Sequence, residues 1–131
     1  MTKSDRERMA RLKEMPCVCC GRRPVEIHHI VDKGYRKHSG GHQATIPLCV
    51  YHHRGVLDAG WTAARMAFAL GPSMALSKRE FNYRYGGERA LLDRVNRWLM
   101  PLTDAEVMEL ARQLGPEIEQ DDTHAKQGEP K

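Results

Sequence analysis

The chain of 131 residues has no apolar run approaching 18 residues, few aromatics, and no cysteine outside one short stretch. The first absence excludes a membrane-spanning helix, and a charged N-terminal segment excludes a secretory signal, so a cytoplasmic protein is expected. Aromatics make up 6% of the chain and hydrophobic residues 40%, which predicts a thin core for one domain of this length. A thin core gains from a staple. Where thiols stay reduced, that staple is a metal and not a disulfide. No internal repeat is visible.

Charge of one sign is scarce only at the end of the chain. Five acidic residues against Lys126 and Lys131 give residues 116–131 a charge of −3, so the +4 of the whole chain becomes +7 on residues 1–115. A basic body of this kind fits a polyanionic partner, most simply DNA. The last sixteen residues lack apolar periodicity and are expected to form a disordered acidic tail.

What the chain does contain is concentrated. All four cysteines and six of the seven histidines lie between Cys17 and His53. Cys17-x2-Cys20 puts two thiolates on one turn, a spacing suited to tetrahedral zinc, and Cys49-x2-His52 supplies a matching pair. Together Cys17, Cys20, Cys49 and His52 form a closed Cys3His set for a structural Zn²⁺, with Cys19 left over. Reduced, unligated cysteines are the bland alternative. A redox Cys-x-x-Cys lacks the surrounding βαβ pattern.

His28-His29 carries a second signal. Adjacent side chains on a strand point to opposite faces, so one imidazole can bind a metal while the other addresses a water or a phosphate. His53 follows His52 by about 100° around a helix, away from the zinc set and toward His28. Phosphodiester hydrolysis needs both parts, a base to deprotonate water and a divalent cation (Mg²⁺, Mn²⁺ or Zn²⁺) to neutralise developing charge. Lys33, Arg36 and Lys37 lie in a glycine-rich, exposed loop over residues 32–43 and read as backbone contacts. His42 in the same loop can touch metal or DNA. Arg54 can hold a phosphate or pair with Asp58. Glu26 reads as a surface carboxylate.

Around this stretch the pattern predicts a helix over 4–14 capped by Ser4, a strand over 25–31, and a returning strand over 44–48 ended by Pro47. A short helix runs from Cys49 to near Gly55. Further helices are expected over 59–70, over 78–85 behind Ser77, over 88–100, and from a Thr103–Glu106 capping box to Leu114. Trp61, Phe68, Phe81 and Trp98 sit among Leu, Ala and Met at helical spacing and are expected to anchor the core.

The combination Cys17-x2-Cys20-Gly21, Glu26-Ile27-His28-His29-Ile30 and Ile46-Pro47-Leu48-Cys49-x2-His52-His53 resembles the HNH, or His-Me finger, endonucleases. The wider pattern, Pro47-Leu48-Cys49-x2-His52-His53-Arg54-Gly55 followed by Ser77-Lys78-Arg79-Glu80-Phe81-x3-Tyr85-Gly86, is similar to the recombination-enhancement (Ref) nucleases of phages. The resemblance implies a small α+β fold: a ββα-metal core over about 15–57, a helical part over 58–115, and the tail over 116–131. It implies a DNA endonuclease with His29 as general base and His28 and His53 on the catalytic cation, with His42 as an added ligand. It also implies a RecA filament as partner and a bacterial cell hosting a phage or prophage as the setting. Where the HNH pattern carries its Asn this chain has Ala44, which leaves Gln43, Thr45 or His42 to supply those contacts. The other readings are a zinc-bound DNA-binding module without catalysis, and a ribonuclease using the same site.

Overall fold

A computed structural model describes residues 1–101 and 103–114; the expected acidic tail lies outside the described residues. The chain divides into two compact units, Met1–Trp98 and Leu99–Lys131. The first opens with α1 (Lys3–Lys13) and a hairpin of β1 (Glu26–His29) and β2 (Thr45–Leu48). It continues through α2 (Arg36–Ser39) and a 3₁₀ turn (Gly41–Gln43) between the strands, and then α3 (Val50–Arg54), α4 (Ala63–Leu70), α5 (Lys78–Tyr85) and α6 (Glu88–Leu99). In the second unit residues 104–114 are helical, and Thr103 and Glu106 exchange the expected capping-box bonds. The fold is a small α+β one, as expected.

Local chemistry explains most boundaries. The cap of helix α1 is Thr2, two residues before the expected Ser4, because Thr2 accepts from the Asp5 amide while the Asp5 carboxylate accepts from the Thr2 amide. The β1–β2 ladder is antiparallel and pairs Glu26 with Leu48, Ile27 with Pro47, His28 with Ile46 and His29 with Thr45. Pro47 therefore lies inside β2 and does not end it. A two-stranded sheet leaves each strand an open edge, where proline costs no ladder bond. Val18 uses that segment by donating its amide to the Pro47 carbonyl.

The connection between the strands is not the plain loop expected from its glycines and lysines. It contains α2 and the 3₁₀ turn, joined at Gly40 with φ 116°. A Cβ there would stand 2.7 Å from the Ala44 Cβ, so both the backbone angle and the space require glycine. In α5, Ser77 occupies the N-cap position but its side chain makes no capping bond.

The core of the first unit lies where α1, β2, α3 and α6 converge. Leu12, Ile30, Ile46, Leu48, Tyr51, Met66, Phe81, Leu91 and Val95 are fully buried. Arg8 crosses this arrangement, donating to Thr45 Oγ1 and Thr45 O on β2 and to Asn96 Oδ1 on α6. Of the four expected aromatic anchors only Phe81 is buried. Helix α4 turns only Met66 fully inward, and Phe68 lies about 200° further round the helix axis, 94% exposed. Trp98 continues the Leu91–Val95 stripe one turn too far and is 46% exposed. Trp61 is half-buried beneath the Arg65 guanidinium, 3.7 Å from its ring centre.

These positions separate cleanly in a stability measurement. Leu12→Ala should cost about 2–5 kcal/mol in urea unfolding of the zinc-loaded protein, while Phe68→Ala should stay within about 0.5 kcal/mol of wild type.

Candidate functional site

Two side-chain clusters flank the hairpin. The first joins Cys17 and Cys20 in the knuckle before β1 to Cys49 and His52 at the start of α3, and their ligand atoms all lie within 4.8 Å of one another. Cys20 Sγ is 3.7 Å from Cys49 Sγ, and His52 Nδ1 is 3.7 Å from Cys17 Sγ and 3.4 Å from Cys49 Sγ. A tetrahedral zinc with bonds of about 2.3 Å to sulfur and about 2.0–2.1 Å to nitrogen requires S···S edges of about 3.8 Å and S···N edges of about 3.6 Å. The four donors fit a zinc ion in both chemistry and spacing.

The surroundings of the cluster support the fit. His52 is fully buried, and its Nε2–H donates to the Leu70 carbonyl at 3.0 Å, with the Tyr85 hydroxyl 3.3 Å away. That bond places the ring proton on Nε2 and turns a bare Nδ1 toward the sulfurs, the outer-shell arrangement typical of metal-binding histidine. Amides of Cys19 and His52 point at the sulfurs of Cys17 and Cys49. Hydrogen bonds from Cys19, Cys20 and Cys49 drive the Cys17 thiol far below its usual range, against the opposing effect of burial. Cys20, which shares its hydrogen with Cys17 and Cys49, is driven up. Cys19 stays outside the set, as the spacing suggests. Among the described residues this is the one group of three or more such side chains able to hold a metal ion.

The second cluster follows from strand alternation. Glu26 and His28 lie on one face of β1 and His29 on the other. On the first face the rings of His28 and His53 meet edge-on with centroids 5.1 Å apart. Each ring is also gripped by a carboxylate. His53 Nδ1 is 2.8 Å from Glu26 Oε1, and His28 Nε2 is 2.6 Å from Glu88 Oε1. On the opposite face His29 Nε2 meets His42 Nδ1 at 3.0 Å. His42 is thus placed beside His29, with its carbonyl held by the Thr45 hydroxyl. Gln43 turns away to donate to Asp5.

Burial lowers the His29 pKa, and the charges of Arg36, His42 and His28 add to the effect, which favours the neutral ring. Three hydrogen bonds from Arg54 hold the Glu26 carboxyl down at about 2, against burial and with help from His53. Arg54 therefore pairs with Glu26 and not with Asp58, whose carboxylate is taken by Arg22. Lys33, Arg36 and Lys37 are exposed, and the Arg36 charge is felt at His29.

Two carboxylates of this site were poorly legible in the sequence. Glu26 reads as a surface residue because its partners arrive from α3. Glu88 gives no signal at all, since 60 residues separate it from His28, and a glutamate opening a helix reads as a dipole partner. In the structure it is 4% exposed and receives the Val31 amide at 3.1 Å and Lys78 Nζ at 3.3 Å besides His28. Burial raises its pKa, but these donors outweigh burial and hold the carboxyl below the usual range.

A Cys3His cluster able to hold a zinc ion, set beside a histidine-bearing hairpin, defines a small α+β protein with a candidate metal staple. The chain belongs to the family described as recombination enhancement, RecA-dependent nuclease, whose model matches residues 1–100. The match runs well beyond the hairpin and takes in α5 and the whole of α6. Comparison with curated proteins and with solved structures gives no significant match. Among the described residues no helix is long and apolar enough to cross a membrane.

Purified protein should carry one zinc per chain by elemental analysis. Cys17→Ser and His52→Ala should each lose it and lower Tm, because ligand binding and folding are coupled. Cys19→Ser should keep it.

Proposed function

We propose that the chain is a metal-dependent endonuclease of the HNH kind that hydrolyses DNA phosphodiester bonds in RecA-linked recombination. The observation that carries this reading is the division of histidines by the two faces of β1: His28 and His53 together on one face, and His29 with His42 on the other, within reach of the charge of exposed Arg36. The family to which the chain belongs supports nuclease chemistry and names RecA.

In the proposed reaction DNA lies along the basic segment of Lys33, Arg36 and Lys37, with Arg54 at the rim of the opposite face. His29 accepts a proton from water as the water oxygen attacks phosphorus in line. The new P–O bond forms as the bond to the 3′ oxygen breaks, and the products are a 3′ hydroxyl and a 5′ phosphate. His28 and His53 hold a divalent cation, Mg²⁺, Mn²⁺ or Zn²⁺, that supplies charge neutralisation at phosphorus and the leaving oxygen. Glu26 keeps its charge beside His53 and leaves Nε2 of that ring free to bind. The Cys3His zinc takes no part in the chemistry and holds α3 against the hairpin. Residues 1–115 form the nuclease, with its core at about 15–57. With this reading goes a setting in the cytoplasm of a bacterial cell, one carrying a phage or prophage.

Supercoiled plasmid, free or paired to a RecA-coated oligonucleotide, tests the reading. His29→Ala should lower the cutting rate by about 10²–10⁴ with zinc content and Tm unchanged. DNA binding without cutting by wild type, whatever cation is added, would favour a non-catalytic DNA-binding module, and preferential cutting of RNA would favour a ribonuclease.

A further inference from the structure

We propose that Glu88 is a positioning residue that locks His28 in its Nε2–H tautomer, leaving Nδ1 as the nitrogen offered to the cation. The inference rests on the nuclease reading only for what Nδ1 binds; the tautomer itself follows from the contacts around Glu88.

A carboxylate has acceptors only. Glu88 receives the Val31 amide on Oε2 at 3.1 Å, and His28 Nε2 lies 2.6 Å from Oε1. With the Glu88 side chain 3% exposed, no water can separate this pair cheaply, so Nε2 must carry the hydrogen. Nδ1 is then bare. The mirror arrangement holds at His53, whose Nδ1 faces Glu26. The two rings therefore offer unlike nitrogens, His28 its Nδ1 and His53 its Nε2.

Glu88 is held in place from several directions. It opens α6, whose Leu91, Leu92 and Val95 are buried in the core. Lys78 from α5 approaches Oε1 at 3.3 Å, and the Val31 amide ties the same side chain to the end of β1. The helical half of the unit thus reaches the hairpin's histidine through one buried carboxylate. This gives a chemical reason for α5 and α6 to accompany the hairpin.

The arrangement makes a specific demand of Glu88→Gln. An amide has one acceptor and one donor end, yet Val31 N and His28 Nε2–H both need an acceptor. The backbone amide cannot change its role, and Lys78, 46% exposed, can swing into solvent. The Gln oxygen should therefore turn to Val31 and its NH₂ to His28. His28 must then accept at Nε2 and move its proton to Nδ1, which blocks that nitrogen as a ligand.

The test uses full-length, zinc-loaded, ¹⁵N-labelled protein without DNA. Long-range ¹H–¹⁵N spectra of the imidazoles, with His28 assigned by its loss in His28→Gln, read the tautomer, and Mn²⁺ titration by EPR reads cation affinity. Wild type should show His28 as Nε2–H. Glu88→Gln should show it as Nδ1–H, with Mn²⁺ affinity lowered about 10–100-fold. Glu88→Asp keeps both acceptors and should retain the wild-type tautomer, which guards against a Gln variant that fails to fold. Wild-type His28 found as Nδ1–H, or Mn²⁺ affinity equal in wild type and Glu88→Gln, would overturn the proposal. A wild type that cuts no nucleic acid would remove the nuclease reading, while the tautomer still decides the role of Glu88.

Discussion

The Cys3His cluster is the interaction on which the rest of the first unit depends. Its four donors come from a knuckle before β1, the residue after β2 and the first turn of α3, so one ion bound there would tie both ends of the hairpin to a helix of five residues. So short a helix has no stability of its own. Here it is held at its start by the Cys49 sulfur and through His52 by the Leu70 carbonyl of α4 and the Tyr85 hydroxyl of α5. Because His53 is the next residue, fixing His52 also fixes the direction of His53. On the proposed reading, structural and chemical roles sit on adjacent residues of one helical turn.

A second constraint is the period of the strand. Side chains alternate across β1, which puts Glu26 and His28 against α3 and α6, and His29 against the 3₁₀ turn. Two adjacent histidines can therefore hold different tasks without competing for one ligand. Burying Glu88 to serve this arrangement costs desolvation, which is offset by the Val31 amide, His28 and Lys78. Glu26 achieves the same end at the surface, where Arg54 keeps it ionised.

The residues that were legible in the sequence are those whose partners are near in sequence or chemically rare. Cysteines at Cys-x2-Cys and Cys-x2-His spacing have few alternative uses, so the zinc set could be read before the fold. The hairpin and α3 followed from β-branched residues, the His-His pair and Gly55. Glu88 could not be read, because what makes it important is its burial against a residue 60 positions away. Phe68 misled for a related reason: half of α4 is alanine, and nothing in its pattern says that Met66 alone faces the core. The α2 and 3₁₀ segments are too short for periodicity to show. Arg54 was expected to hold a phosphate or pair with Asp58, and the strand supplied Glu26 instead of Asp58.

The central claim is that one zinc ion, bound by three sulfurs and one imidazole, sets the geometry of the histidine site. Zinc K-edge X-ray absorption on the purified protein tests it most directly. The account predicts three Zn–S contacts at about 2.3 Å and one Zn–N contact at about 2.0–2.1 Å. A four-sulfur shell, which would bring in Cys19 and release His52, or a shell dominated by oxygen and nitrogen, would contradict it.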